Sequence, residues 1–193
     1  MPTWVGDAVM ATPTLRSLRA GFPNAQLIGV MRPVISDLLA GTSLLDEHVP
    51  FNKRQRFKLI SSLRAAKLDA MVLLTNSLWT AVVARLAGVK RVVGYDRDAR
   101  GWLLSDRIPV PTSKQPGKQR AKHSSNKVHT PAIDYYLGLV EHMGCEVDDR
   151  RSELSITAAE SELAKSLWKK CQFDSNAATI VLNSNSATDV SRL

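Results

Sequence analysis

The chain has 193 residues, 44% of them hydrophobic, and a formal net charge of +8. That size and apolar content suit one α/β domain with a short extension and a substantial buried core. No apolar run is long enough to span a membrane, the first residues lack the basic-then-apolar form of a secretory signal, and Cys145 and Cys171 show neither metal spacing nor a disulfide framework. A reduced, cytoplasmic chain is the expectation.

The positive charge favours anionic partners: nucleic acid, acidic lipid or phosphorylated substrates. It concentrates in two acid-free runs. One, Asn52 to Lys67, holds Lys53, Arg54, Arg56, Lys58, Arg64 and Lys67; the other, Thr112 to Lys127, holds Lys114, Lys118, Arg120, Lys122 and Lys127. Either run is equally a solvated surface. Few aromatic residues accompany them, which argues against a single-stranded nucleic-acid surface built on stacking rings.

In chain order, Trp4-Val5-Gly6-Asp7 reads as a glycine turn opening into a helix that follows Asp7 and stops at Gly21-Phe22-Pro23. Thr12-Pro13 reads either as an internal cap with a first-turn proline or as a kink. Gln26 to Met31 reads as a strand, Pro33 to Ala40 as a short helix and Glu47 to Val49 as a weak strand. Phe57 to Ala66 has helical spacing of Phe57, Ile60 and Leu63. Asp69 to Leu74 is a continuous apolar run of strand length, as in a buried parallel sheet. Leu78 to Ala87 is a helix ended by Gly88, and Arg91 to Gly94 another strand.

From Thr112 to Val128 the Pro, Gly, Ser and Lys content reads as a loop. Thr130-Pro131 predicts the cap and first turn of a helix to Met143. Thr157-Ala158-Ala159-Glu160 has capping-box form and opens a helix to about Lys170. Ala178 to Leu182 reads as a last strand. The alternation predicts an open parallel sheet wrapped by helices. Residues 1–155 form one Rossmann-like domain in this reading, and 156–193 a linker helix and the start of another.

Four segments together resemble one family. The run Pro2 to Pro13 resembles the N-terminal motif of the ADP-heptose:lipopolysaccharide heptosyltransferases, especially the heptosyltransferase II branch of glycosyltransferase family 9. Leu73-Leu74-Thr75-Asn76-Ser77 is similar to that family's strand-to-loop "PNS" segment. Ala87-Gly88-Val89, Gly94-Tyr95 and Arg100-Gly101-Trp102-Leu103-Leu104 resemble its next block, and Ile180 to Leu193 the strand and phosphate loop that begin its C-terminal domain.

The resemblance implies the N-terminal, acceptor-side half of a GT-B glycosyltransferase, with the strand before Pro2 missing and the chain ending within the phosphate loop. It implies inverting heptose transfer from ADP-heptose to a phosphorylated Kdo/heptose glycolipid, with no metal or other cofactor. It also implies action in the cytoplasm, with peripheral contact at the inner face of the cytoplasmic membrane. With most of a donor domain absent, the chain alone is expected to be inactive.

Asp7 matches the family's base position. Inverting transfer needs a base for the acceptor hydroxyl, and a carboxylate at a glycine turn beside a cleft suits it. The plain structural reading of Asp7 is an N-cap. Gly6, Thr12, Asn76 and Ser77 are the candidate acceptor contacts beside it. Asn76 and Ser77 end a buried strand at a carboxyl edge, where α/β ligands bind; Ser77 reads equally as a helix cap.

Arg54, Arg56, Lys58, Lys118 and Arg120 could clamp the acceptor's acidic groups. Ser186, Thr188 and Arg192, with Ser184, sit where the donor-phosphate loop begins, or else in a plain polar stretch. His48, His123, His129 and His142 have no ligand spacing. Trp79 and Trp102 are expected to fill packing. The competing reading is a non-catalytic basic domain that binds anionic glycolipid or other polyanions; no nucleic-acid partner is expected.

Overall fold

The computed structural model describes residues 1–52, 55–111, 130–172 and 180. The chain divides into two units, Met1–Ile156 and Thr157–Leu193. The first unit holds helices α1 (Val5–Met10), α2 (Thr12–Gly21), α3 (Pro33–Leu39), α4 (Arg56–Ala65), α5 (Leu78–Leu86) and α6 (Ala132–Glu141). Its strands are β1 (Ile28–Met31), β2 (Glu47–Pro50), β3 (Ala70–Val72), β4 (Arg91–Tyr95) and β5 (Asp106–Ile108). A 3₁₀ turn, Gly101–Leu103, links β4 to β5.

Among the described residues every strand pairing is parallel, as the alternation of strand and helix requires. The strands form two sheets, however, ordered β1-β2 and β3-β4-β5. The register pairs Ile28 with Glu47 in the first sheet. In the second it pairs Ala70 with Arg91, and Val93 with Asp106. Between the sheets the contact is side-chain packing: Val72 of β3 lies against both the cluster around Leu15, Ile35, Leu39 and Leu137 and the cluster around Leu74, Val93, Tyr95 and Leu139. Met1 joins the same two clusters, and its ammonium donates to Val30 O at 3.0 Å.

The helices follow their sequence signals with some corrections. The apolar stripe of α2 buries Leu15 and Leu18. Helix α5 ends where Gly88 adopts φ +81°, a left-handed conformation that suits glycine. Helix α1 begins at Val5, before Asp7, so Gly6 lies in its first turn and is not a left-handed turn residue. The Thr12-Pro13 break falls at Ala11, which ends α1 and caps α2. The cap of α6 is Pro131, not Thr130. The segment 106–108, with no strand expectation, pairs with β4 as β5, and Arg91 and Asp106 bridge the two strands at 2.9 Å.

In the second unit, α7 (Ala158–Lys170) starts with the expected capping box, with Thr157 Oγ1 accepting from Glu160 N at 3.2 Å and Glu160 accepting from Thr157 N at 2.6 Å. None of its residues is buried. The strand expected at 178–182 lies outside the described residues apart from Ile180, as does the loop expected over 112–128. Cys145 is buried, Cys171 is exposed, and both are free thiols. Among the described residues, no helix is long and apolar enough to cross a membrane.

Candidate functional site

Two segments carry the candidate chemistry. The first is the start of α1. Arg32, which follows β1, has its Nη1 3.5 Å from Thr3 O, which sets Thr3 near the carboxyl end of that strand. That is the edge at which parallel α/β sheets receive ligands.

Asp7 is half-buried in the first turn, where unpaired helix N–H groups favour a carboxylate. Trp4, not Asp7, occupies the cap position, and Asp7 accepts no side-chain hydrogen bond among the described residues. Burial pushes the Tyr136 hydroxyl up to about 12, with the nearby Asp7 charge adding to the rise. Above Gly6 there is open space: a Cβ built there meets no atom within 4 Å.

Thr12, expected beside Asp7 as an acceptor contact, is fully buried. Its hydroxyl donates to Val9 O at 2.8 Å and accepts from Glu153 N at 2.9 Å. It therefore braces the α1–α2 break from inside and offers no surface to a ligand.

The second segment, Thr75–Ser77, follows β3. Ser77 stands at the cap position of α5 without a side-chain capping bond and is exposed. Asn76 is half-buried and held from two sides. Arg100 Nη2 donates to Asn76 Oδ1 at 3.1 Å, and the Tyr135 hydroxyl donates to the same oxygen at 3.0 Å. Arg100 is fully buried. Its Nε donates to Tyr95 O at 3.0 Å, and its Nη1 donates to Thr75 O. Burial lowers its pKa.

Gly94 makes room for this guanidinium, since a Cβ there would lie 3.3 Å from Arg100 Nη2. Tyr95 completes the support: burial pushes its hydroxyl up to about 12, and it donates to Tyr135 O at 2.7 Å. The Tyr95 and Tyr135 rings lie 4.2 Å apart, tilted by 33°. Gly138 permits this approach, because a Cβ on it would fall 2.6 Å from the Tyr95 hydroxyl oxygen.

The two segments share one foundation. Ala11 after α1, Leu74 before Thr75, Tyr95 and Tyr136 belong to a single buried cluster, with Met10 and Tyr135 packed on it. Neighbouring tyrosines of α6 thus serve both: Tyr135 bonds Asn76, and Tyr136 lies within the field of Asp7.

The sequence reading has Arg100 only as the start of the family-like block Arg100 to Leu104, and neither it nor Tyr135 among the candidate site residues. The pair Tyr135-Tyr136 inside an apolar helix is a usable signal. Buried tyrosine hydroxyls need partners.

The basic run around α4 is partly visible. Arg56 is exposed and its guanidinium lies 4.9 Å over the half-buried Trp79 ring. Lys58, Gln55 and the Val49–Asn52 segment line a cavity of about 220 Å³ beyond the end of β2. Trp102, expected to pack, is instead 69% exposed. Arg54, Lys118, Arg120, Ser186, Thr188 and Arg192 lie outside the described residues. His48 Nδ1 lies 3.1 Å from Ser36 Oγ. Among the described residues, no group of three or more His, Cys, Asp or Glu could hold a metal ion.

No family model matches the chain. The lipopolysaccharide heptosyltransferase 2 of Escherichia coli strain K12 is 34% identical over 113 residues, which is 54% of this chain and 32% of that protein. The solved structure of E. coli ADP-heptose lps heptosyltransferase II superposes with a TM-score of 0.65 at 21% identity, covering 90% of this chain and 50% of that one. The glycosyl transferase family 9 structure from Veillonella parvula DSM 2008 gives 0.69 at 15% identity, covering 91% of this chain and 49% of that one. The chain spans half or less of the length of these proteins. Over half its length the chain is similar in sequence to lipopolysaccharide heptosyltransferase 2, and over most of its length it has the α/β fold of the glycosyltransferase family 9 structure.

Proposed function

We propose that this chain forms the acceptor side of a heptosyltransferase of lipopolysaccharide core biosynthesis, acting at the inner face of the cytoplasmic membrane. The donor is ADP-heptose and the acceptor a phosphorylated Kdo/heptose glycolipid. The observation that carries this reading is Asp7: a half-buried carboxylate in the first turn of α1, next to open space at Gly6, with no side-chain hydrogen bond among the described residues. A carboxylate in that state can take the acceptor hydroxyl proton as its oxygen attacks the anomeric carbon and the nucleoside diphosphate leaves.

Lys58, which lines the cavity beyond β2, and the exposed Arg56 of the same helix supply positive charge suited to the acceptor's acidic groups. The likeness to the E. coli ADP-heptose lps heptosyltransferase II supports the donor.

The test is transfer from ADP-heptose by a protein in which this chain replaces the matching half of the E. coli relative. Transfer that requires Asp7 supports the reading. Glycolipid binding with no transfer in that setting favours the non-catalytic basic domain. The 193-residue chain alone is expected to bind acceptor and transfer nothing.

A further inference from the structure

The pair of donors on Asn76 decides which way its amide faces. An arginine guanidinium can only donate, so the Asn76 atom 3.1 Å from Arg100 Nη2 must be the oxygen. Reversing the amide would set NH₂ against a buried cation. The Tyr135 hydroxyl, held by its ring stack on Tyr95, donates to that same oxygen. With Oδ1 doubly engaged, Nδ2 turns away from the guanidinium. It donates to no side chain or backbone carbonyl among the described residues.

We infer that Arg100 and Tyr135 are positioning residues that fix Asn76 as an outward-facing pair of N–H donors, a subsite for an oxygen acceptor such as a carboxylate, phosphate or sugar hydroxyl of the glycolipid. The inference rests on the acceptor-side reading above. It goes beyond that reading in assigning a polarity to the subsite. The network fixes donors toward the ligand and excludes the opposite orientation, in which Asn76 would accept from it. Arg100 itself never meets the ligand; fully buried, it acts through Asn76 and the Thr75 carbonyl. Such preorganisation removes the need to order the amide at the moment of binding.

Asn76→Asp separates the two halves of the inference. The inner carboxylate oxygen keeps both donors and gains an ion pair with Arg100, while the outer atom changes from a donor to an anion. We expect the melting temperature of the full chain to be unchanged or raised. Binding to Kdo2-lipid A in mixed micelles, measured by calorimetry, should weaken at least tenfold. Tyr135→Phe should weaken the same binding two- to fivefold.

A lowered melting temperature in Asn76→Asp would overturn the assigned lock, whatever the ligand. A stable Asn76→Asp that binds as the parent does would overturn the subsite and leave the acceptor-side reading standing. A parent chain that keeps its melting behaviour but binds no Kdo2-lipid A would overturn the acceptor-side reading and the subsite with it.

Discussion

The start of α1 and the Thr75–Ser77 loop rest on one buried cluster, yet they are built in opposite ways. Asp7 has its helix, its half-burial and the field of its neighbours, but no side-chain bond among the described residues. Asn76 is clamped by a buried arginine and a stacked tyrosine. The proposed roles of base and binding group give that difference a reason. A base must keep its lone pairs available for a proton, whereas a binding group gains from having its orientation settled beforehand.

The largest test of this contrast is Asp7→Asn. In a transferring protein that contains this chain, turnover should fall by about 10²–10⁴-fold, the usual scale of general-base catalysis. Affinity for the donor and the melting temperature should scarcely change. Unaltered turnover would remove Asp7 from the role of base.

Arg100→Ala should give the converse pattern. It leaves the carbonyls of Thr75 and Tyr95 and the Asn76 side chain without their buried donor. Denaturant unfolding should show a loss of about 3 kcal/mol. A loss near zero would mean that the Asn76 loop is not held as described.

A pH dependence of similar size arises beside α1. Burial lowers the Met1 ammonium from 8.0 to about 6. Between those values the unfolded chain binds the proton and the folded chain does not, so stability rises with pH across the window. It is full above pH 8.0 and diminished below about pH 6. In chain that retains Met1, the change should amount to about 3 kcal/mol, read from unfolding at pH 5.5 and 8.5, values set about half a unit outside the window. Acetylating the amine should abolish the slope; a slope that survives acetylation has another source.

The smallest effect belongs to Gly6→Ala. The helical first turn and the open space above it admit the methyl group, and stability should rise by up to about 1 kcal/mol. If the ligand approaches the backbone there, glycolipid affinity falls at the same time. A stabilised variant with unchanged affinity would place the ligand elsewhere.

The periodicity of the chain made most elements legible, because Leu15 and Leu18 mark a buried helix face and Val92 and Val93 a buried strand; in α4 the buried face is Leu59 and Leu63, and Phe57, read as part of the apolar stripe, is 86% exposed. It did not reveal that the strands divide between two sheets, since periodicity carries no information about which strand lies beside which. The segment 106–108 escaped notice because two of its three residues are charged. Asp7 and Asn76 were legible as candidates from their local motifs. Their supports were not: Arg100 lies 24 residues from Asn76, and Tyr135 lies 59 from it. Thr12 went the other way. Its hydroxyl beside the motif resembled a ligand contact, but it is committed to Val9 and to Glu153, 141 residues along the chain.

That last contact belongs to a clasp in which Arg16 of α2 grips the segment after α6. Its guanidinium donates to the carbonyls of Asp149 and Arg151 at 3.1 and 2.7 Å, and pairs with the Glu153 carboxylate. These partners lie 133 to 137 residues from Arg16. Closing so long a loop early in folding is entropically unfavourable, so the clasp belongs on the native side of the folding barrier. Interactions formed that late slow the escape from the folded state and leave the rate of reaching it almost untouched. Arg16 thus governs how long the α2 face stays shut once the chain has folded, and Arg16→Ala should raise the unfolding rate while refolding proceeds at its former speed.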